Sequence, residues 1–169
     1  MAIAASIGNF LKRERVPYTI LVHRAAYTAQ REAEVAHVRG RHWAKIVVCF
    51  VDDEPIQAVL PADLMVDLER LRALASARTV RLATEAELVN LYPGCQPGAM
   101  PPFGPLYGQR VFADPIMAGD PEIAFNAGTH TDAICMHYND FAEIVRPIVG
   151  AFARPFSAAD PHAGRACLL

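Results

Sequence analysis

The residues best suited to chemistry lie in a loop that is rich in glycine and proline, Gly94-Cys95-Gln96-Pro97-Gly98-Ala99-Met100-Pro101-Pro102-Phe103-Gly104. Its glycines permit backbone angles that side chains forbid, and its prolines fix φ and remove N–H donors. Such a loop can hold its remaining N–H groups in one geometry, which suits the binding of a carbonyl or phosphate oxygen. The alternative is a proline-rich connection packed on the core.

Lys45 is the charged residue of an otherwise apolar stretch, residues 44–51, that is typical of a buried strand. The alternation of side chains along a strand places it on the same face as Val47. In one interpretation its stem is packed while its ammonium reaches water, as is common near strand ends. Otherwise the ammonium points into a partly dry cleft and acts there as a fixed charge or a reactive amine.

His130 lies in a short polar segment, residues 126–132, between two predicted strands. Such a loop can present a histidine and hydroxyl groups to a ligand, or it can be a hairpin turn with the histidine exposed. Cys95 is a candidate nucleophile with His130 as its base, but nothing in the sequence brings the two together.

Arg31, Arg39 and Arg41 belong to a basic stretch that also contains His42 and Lys45. It is either the solvated face of a helix or an edge that contacts phosphates. Elsewhere the sequence lacks the serine elbow of hydrolases, the Walker A motif and the Rossmann glycine pattern. No ligand spacing indicates a metal, so neither a metal nor a cofactor is predicted.

Length and composition indicate a single globular domain. The chain has 169 residues, of which 53% are hydrophobic and 20% charged. Its net charge of −2 excludes a globally basic nucleic-acid binder, although a local patch remains compatible. No apolar run has the length of a membrane span, and the cysteines lack paired spacing, so a reduced, cytoplasmic protein is expected.

The order of predicted elements favours an α+β domain on a mixed sheet, over residues 1–150, followed by an irregular tail, 151–169. We predict helices over 3–15, 29–38 with Thr28 as cap, 62–75, 84–91 and 140–146 with Asn139 as cap. The predicted strands are 18–23, a hairpin of 44–51 with 56–60, and then 79–82, 110–113, 123–126 and 133–137.

Three features occur together in a particular order: Lys45 near the start of a central strand, the Gly-x-x-Pro-Gly loop at 94–98, and an Asn-Ala-Gly-x-His turn at 126–130. This combination resembles the YbaK/prolyl-tRNA-synthetase-associated domain family, the trans-acting aminoacyl-tRNA editing deacylases. The resemblance covers residues 3–150. The segment around His130 is more similar to the histidine-bearing branch, which includes the insertion domain of bacterial prolyl-tRNA synthetases, than to the cysteinyl-tRNA branch.

The resemblance implies a mixed, mostly antiparallel, barrel-like sheet flanked by helices. It also implies hydrolysis in trans of the ester that joins a wrong amino acid to the 3′ end of tRNA. The implied partners are tRNA and, as a further candidate, an aminoacyl-tRNA synthetase, with no membrane or DNA. The implied residues are catalytic Lys45, Gly94, Gly98 and His130; substrate-binding His23, Thr28, Val47, Pro97, Phe103, Asn126, Gly128 and Thr129; and tRNA-binding Arg31, Arg39 and Arg41.

An aminoacyl ester is already activated, so an enzyme can hydrolyse it by positioning it, stabilising the oxyanion and admitting water. Lys45 could anchor the amino end, contact the terminal phosphate or ribose, or support the water; His130 could line the pocket or order the water. Two alternatives remain. One is a non-catalytic module of the same fold that binds tRNA or a synthetase, and the other is a thiol hydrolase that depends on Cys95.

Overall fold

The computed structural model describes residues 4–157. Within that range the helices are α1 (Ala5–Glu14), α2 (Ala29–Val35), α3 (Leu68–Leu74), α4 (Glu85–Leu91), α5 (Pro115–Ala118) and α6 (Tyr138–Val145). The strands are β1 (Thr19–Val22), β2 (Ala44–Val51), β3 (Glu54–Pro61), β4 (Met65–Val66), β5 (Val80–Leu82), β6 (Arg110–Ala113), β7 (Glu122–Asn126), β8 (Asp132–His137), β9 (Ile148–Val149) and β10 (Ala153–Arg154).

The strands form a mixed, mostly antiparallel arrangement. One sheet has the order β5-β2-β3-β6-β9, in which β6 runs parallel to both of its neighbours, and a second has the order β1-β8-β7. An isolated parallel bridge between Trp43 and Ala124 connects the two. The α+β class and the mixed sheet are confirmed, but strand pairing among residues 4–157 does not close the sheets into a barrel.

The β2–β3 hairpin is the centre of the fold, and it forms where the sequence predicts it. Asp52 and Asp53 both have positive φ, 48° and 69°, as the tight turns that match strand twist require. Both faces of β2 are buried. Ile46 and Val48 pack in a core with α1, β7 and α6, and Val47 packs in a second core with α3.

The predicted beginnings of two helices are wrong. The helix predicted for 62–75 begins only at Leu68, because the Asp67 side chain caps it by accepting from the Glu69 and Arg70 N–H groups. Met65–Val66 instead forms β4, which pairs with β10. The last helix begins at Tyr138, directly after β8, and Asn139 therefore lies inside it and does not cap it.

The helix predicted for 29–38 ends earlier, at Val35. His37 adopts a positive φ of 57°, and the Val38 N–H donates to the Ala33 carbonyl at 2.9 Å. This left-handed turn closes the helix before Gly40. Its predicted beginning is confirmed, because the Thr28 hydroxyl accepts from the Arg31 N–H.

The first part of the predicted irregular tail is held by the domain. Phe152 is fully buried, β10 pairs with β4, and the Asp114 carboxylate accepts from the Phe152 and Ala153 N–H groups. Residues 152–154 therefore pack on the domain, and the boundary expected at residue 150 stays a prediction. Residues 158–169 of that tail, and residues 1–3 of the first predicted helix, lie outside the described range. No helix among residues 4–157 is both long and apolar enough to cross a membrane.

Candidate functional site

A small cleft lies beside the start of β2, where the two larger sheets meet. It is lined by the polar residues Tyr27, Glu32, Lys45 and Asn126 and by Ala29, Trp43, Ala44, Ile46 and Gly98. The space inside is about 20 Å³, which is room for roughly one water molecule. Residues from the central hairpin, from α2 and from both loops singled out in the sequence thus converge on one site.

Lys45 is held in this cleft by β2. Its side chain is only 7% exposed, so its ammonium does not extend into bulk water. The ammonium donates to the Leu64 carbonyl and lies 5.2 Å from the centre of the Phe156 ring, within the range of a cation–π contact. This geometry excludes the first of the two interpretations of Lys45, an ammonium in bulk water. Lys45 lines the cleft, whereas Leu64 and Phe156 do not, so the action of its charge on a bound ester stays a prediction.

The glycine-rich loop reaches the cleft at Gly98 but not at Gly94. Gly98 has a positive φ of 85°, and its N–H makes no hydrogen bond with any residue between 4 and 157. Gly94 has the same conformation, with a φ of 86°, but it is exposed and does not line the cleft. The loop therefore contributes to the lining of the cleft one residue, Gly98, whose backbone N–H is not used by the described part of the chain.

Hydrogen bonds fix the loop against the turn that contains His130. The Gln96 N–H donates to the Gly128 carbonyl at 2.8 Å, and the Gly128 N–H donates to the Ala99 carbonyl at 2.9 Å. Gly128 needs to be glycine here, because its φ is 95° and a Cβ would meet the Ile7 side chain at 3.3 Å. The two segments act as one rigid wall of the cleft.

His130 lies behind this wall with both ring nitrogens engaged. Its Nδ1 is 2.7 Å from Oε1 of Glu32, and its Nε2 is 2.9 Å from the Pro97 carbonyl oxygen. The bond to the Glu32 carboxylate raises the pKa of His130; burial opposes this effect, and the Pro97 carbonyl adds to it. A histidine whose two nitrogens both donate has no lone pair to act as a base.

Asn126 supplies an unused polar atom. Its side chain is 4% exposed, it lines the cleft, and its Oδ1 has no hydrogen-bond partner within residues 4–157. A buried amide without a partner is costly, and such a group commonly faces a ligand or water. Its position favours the predicted substrate-binding role.

The other predicted substrate-binding residues do not line the cleft. Thr28 caps α2, Val47 is in the second core, Phe103 packs against Phe10 and Phe125, and the Thr129 hydroxyl donates to Asp132 within its own turn. His23 is buried edge-on to Trp43, with its Nε2 lacking a partner among the described residues.

Glu32 and Tyr27 are the polar residues of the cleft that the sequence did not reveal. In the sequence Glu32 is one of two acids that dilute the basic stretch, yet in the structure it is only 3% exposed. The helical spacing from Ala29, on the buried face of α2, is the one signal that could have found it.

The three predicted tRNA-binding arginines are all exposed. Arg31 forms an ion pair with Glu34 at 2.9 Å on α2, whereas Arg39 and Arg41 form no ion pair with any residue from 4 to 157. Beside the cleft, an open groove is lined by Arg24, Arg31, Glu34, Val35 and His37. Residues of α2 line both sites: Arg31 and Glu34 the groove, and Ala29 and Glu32 the cleft.

Cys95 is not activated as a nucleophile. Its thiol is half-buried, burial raises its pKa, and its Sγ lies 3.5 Å from the Tyr107 hydroxyl. The ring nitrogens of His130 are occupied by Glu32 and Pro97, so this histidine is not a base for the thiol. No cluster of three or more potential metal ligands occurs among the described residues.

Known proteins with similar sequences are aminoacyl-tRNA editing proteins. The model of the aminoacyl-tRNA editing domain matches residues 23–144. The multifunctional Ser/Thr-tRNA deacylase ProXp-y of Escherichia coli (strain K12) is 30% identical over 149 residues, which cover 85% of this chain and 89% of that protein.

Solved structures share the fold. A crystal structure of a candidate trans-editing enzyme for prolyl-tRNA synthetase has a TM-score of 0.76 at 17% identity, covering 90% of this chain and 99% of that one. The hypothetical protein APE2540 has a TM-score of 0.79 at 18% identity, covering 88% and 99%. By its sequence match and its fold, this chain belongs to the aminoacyl-tRNA editing domain family.

Proposed function

We propose that this protein is an aminoacyl-tRNA deacylase that hydrolyses, in trans, esters of small amino acids at the 3′ end of tRNA. The observation that carries the proposal is the convergence of Lys45, the Gly98 N–H and the Asn126 amide on one cleft. Family membership and the 30% identical deacylase support it.

The chemistry needs no covalent intermediate. Water attacks the ester carbonyl, the bond from carbon to the ribose oxygen breaks, and a proton passes to that oxygen as the amino acid leaves. Negative charge develops on the carbonyl oxygen, and preorganised donors in a water-poor site stabilise it. Gly98 supplies a backbone N–H, Lys45 supplies a positive charge, and the Asn126 amide orients the aminoacyl group.

The 30% identical relative, which is named as a Ser/Thr-tRNA deacylase, supports the choice of small amino acids. The walls of the cleft are tied by hydrogen bonds between the 94–98 and 126–130 segments, so a bulky aminoacyl group would have to displace them. A deacylation screen over mischarged tRNAs tests the proposal. Seryl, threonyl and alanyl esters should be cleaved faster than leucyl or phenylalanyl esters, and an absence of turnover on every ester would contradict it.

The tRNA in this screen should be varied independently of the amino acid. One structural neighbour is described as a trans-editing enzyme for prolyl-tRNA synthetase, so mischarged tRNA(Pro) belongs in the panel, as do serine and threonine tRNAs. A synthetase partner is part of the proposal, testable by adding prolyl-tRNA synthetase to the assay. Such substrates agree with the cytoplasmic location expected from the sequence.

We predict that tRNA binding depends on a local basic patch, because the whole chain is net acidic. Replacing Arg39 and Arg41 together by alanine should weaken binding and flatten its dependence on salt, since fewer counterions are then released. The double variant Arg13→Ala/Arg110→Ala removes the same charge from exposed positions elsewhere and serves as control. Unchanged affinity and salt slope in the first variant would place the tRNA surface elsewhere.

Cys95→Ser and Cys95→Ala should both retain most of the deacylase activity. The thiol has a raised pKa and a tyrosine neighbour, and an activated ester needs no thiol nucleophile. Deacylation rates before and after alkylation of the wild-type protein provide the measurement. A loss of several orders of magnitude in Cys95→Ser, with an unchanged circular dichroism spectrum, would restore the thiol mechanism.

A further inference from the structure

We infer that Glu32 is a positioning residue: its carboxylate holds His130, and His130 in turn fixes the Pro97–Gly98 segment that faces the substrate. The inference rests on the proposed deacylase function. It assigns a role to a carboxylate that neither contacts the reacting atoms nor was selected from the sequence.

The contacts form a continuous chain from α2 to the loop. Glu32 is 3% exposed and His130 is 7% exposed, so both groups are removed from water. Oε1 of Glu32 lies 2.7 Å from Nδ1, and Nε2 lies 2.9 Å from the Pro97 carbonyl oxygen. The His130 backbone N–H also donates to the Gln96 side chain at 2.8 Å, which ties the same loop a second time.

The two contacts of the His130 ring require two ring protons, and the Glu32 carboxylate stabilises the resulting positive charge. A carbonyl oxygen can only accept, so Nε2 of His130 must carry a proton, and Nδ1 must share another with the carboxylate. With Glu32 ionised, both partners of the ring are acceptors, and a neutral imidazole with its single ring proton cannot satisfy both. Loss of the second proton would set a nitrogen lone pair against either the Glu32 oxygen or the Pro97 oxygen, and one contact would break.

This series of contacts ends at Gly98, whose backbone N–H is the proposed donor of the cleft. Gly98 follows Pro97 directly, and a Cβ built on it would lie 3.5 Å from Cε1 of the His130 ring. The imidazole ring therefore packs against Gly98, the residue of the loop that lines the cleft. Release of the Pro97 carbonyl would let this donor move away from the ester.

Other titratable groups surround the pair. The Tyr27 ring, which precedes α2, is centred 5.0 Å from the His130 ring, and Lys45 of β2 lines the same cleft as Glu32. Asp132, within the turn itself, accepts from the hydroxyls of Thr129 and Thr131. The direct ionic partner of the ring is therefore Glu32.

The bond to Glu32 raises the pKa of His130 above its usual value of about 6.5, and the Pro97 carbonyl adds to this against the effect of burial. The stabilisation is therefore fully present below that usual value and is lost as pH rises through the raised pKa. Loss of the second ring proton of His130 should release the Pro97–Gly98 segment and lower turnover at alkaline pH.

Glu32→Gln is the decisive variant, because it keeps the shape and an acceptor oxygen but removes the charge. Glu34→Gln is its matched control: it removes the same charge from an exposed position on the same helix, where the carboxylate pairs with Arg31. For each protein, NMR titration of the histidine ring signals gives the midpoint of His130. Single-turnover deacylation across pH, corrected for spontaneous hydrolysis, gives the rate profile.

We expect Glu32→Gln to lower the His130 midpoint and to move the alkaline limb of the rate profile to lower pH by the same interval. Turnover at pH 8 should fall by about tenfold, less than for loss of an oxyanion donor, with little change in KM. Glu34→Gln should change neither. An unmoved His130 midpoint, or a deficit in Glu32→Gln that is equal at every pH, would overturn the inference and leave a packing role.

Two measurements distinguish a failure of the Glu32 contact from a failure of the proposed deacylase function. The NMR midpoint is independent of activity, so a wild-type protein without deacylase activity would refute the proposed function while the midpoint still tests the Glu32 contact. If Glu32→Gln does not fold, the wild-type protein decides: at pH 6.5 both ring nitrogens of His130 should be mostly protonated. A neutral imidazole there would overturn the inference.

Discussion

Lys45→Met is expected to lower single-turnover deacylation by at least about a hundredfold, comparable to the loss of one preorganised electrostatic contact. Lys45 is the cation among the residues that line the cleft, and it is 7% exposed. A charge at that depth interacts with a developing oxyanion far more strongly than one in water does. The assay uses the preferred mischarged tRNA with enzyme in excess.

The same variant should keep the fold. Methionine retains most of the packed stem, and removal of a mostly buried charge relieves a desolvation cost. Against this, the ammonium donates to the Leu64 carbonyl and contacts the Phe156 ring, and loss of such a hydrogen bond costs about 1 kcal/mol. We therefore expect a small net change in the free energy of unfolding, measured by thermal or urea denaturation.

Lys45→Arg should recover only part of the activity. A guanidinium is a planar fork of five donors, larger than an ammonium, and the cleft has room for roughly one water molecule. The positive charge would be present but displaced from the ester carbonyl of the substrate.

Lys12→Met is the matched control for these variants, because Lys12 is the other lysine of the chain and is exposed on α1. It should leave the rate unchanged. Wild-type rates in both Lys45 variants would remove Lys45 from the mechanism and weaken the proposed function as a whole.

Much of the fold could be predicted because its signals are local. Thr28 and the capping box at Thr84–Glu87 fix the beginnings of α2 and α4 through contacts within one helical turn. The central hairpin follows from two apolar runs, 44–51 and 56–60, on either side of a short polar turn. These features depend on near neighbours in the chain, which a sequence shows directly.

The parts that were missed depend on distant partners. Met65–Val66 becomes a strand because Ala153–Arg154 pairs with it, and the apolar stripe at Leu64, Leu68 and Leu71 is the same whether or not that partner exists. Glu32 likewise looks like a solvated helical acid until His130 is placed against it. Neither pairing leaves a local pattern.

The site itself was only partly predictable for a related reason. The sequence identified the Gly-x-x-Pro-Gly loop and the turn around His130, and the structure brings both to the cleft wall. It could not separate Gly94 from Gly98, because both have the residue type and the positive φ that the loop needs. Only the position of the loop relative to β2 distinguishes them.

Gly98→Ala is expected to lower kcat/KM by at least about tenfold, with Gly94→Ala as its counterpart. Both glycines have a φ near 85°, so alanine at either site should cost a similar free energy of unfolding, about 1 kcal/mol. At Gly94 a Cβ meets nothing within 4 Å, and the residue is exposed and away from the cleft. Its variant should lose stability and keep activity within a few-fold of wild type.

At Gly98 the strain acts on the site. Relief of it requires rotation of the backbone, which would turn the Gly98 N–H away from the cleft and pull the Pro97 carbonyl from Nε2 of His130. Thermal unfolding of both variants checks that the stability losses match, and deacylation kinetics show whether the activity losses differ. Equal activity losses in the two variants would mean that loop strain alone lowers the rate, and full activity in Gly98→Ala would exclude its N–H as the oxyanion donor.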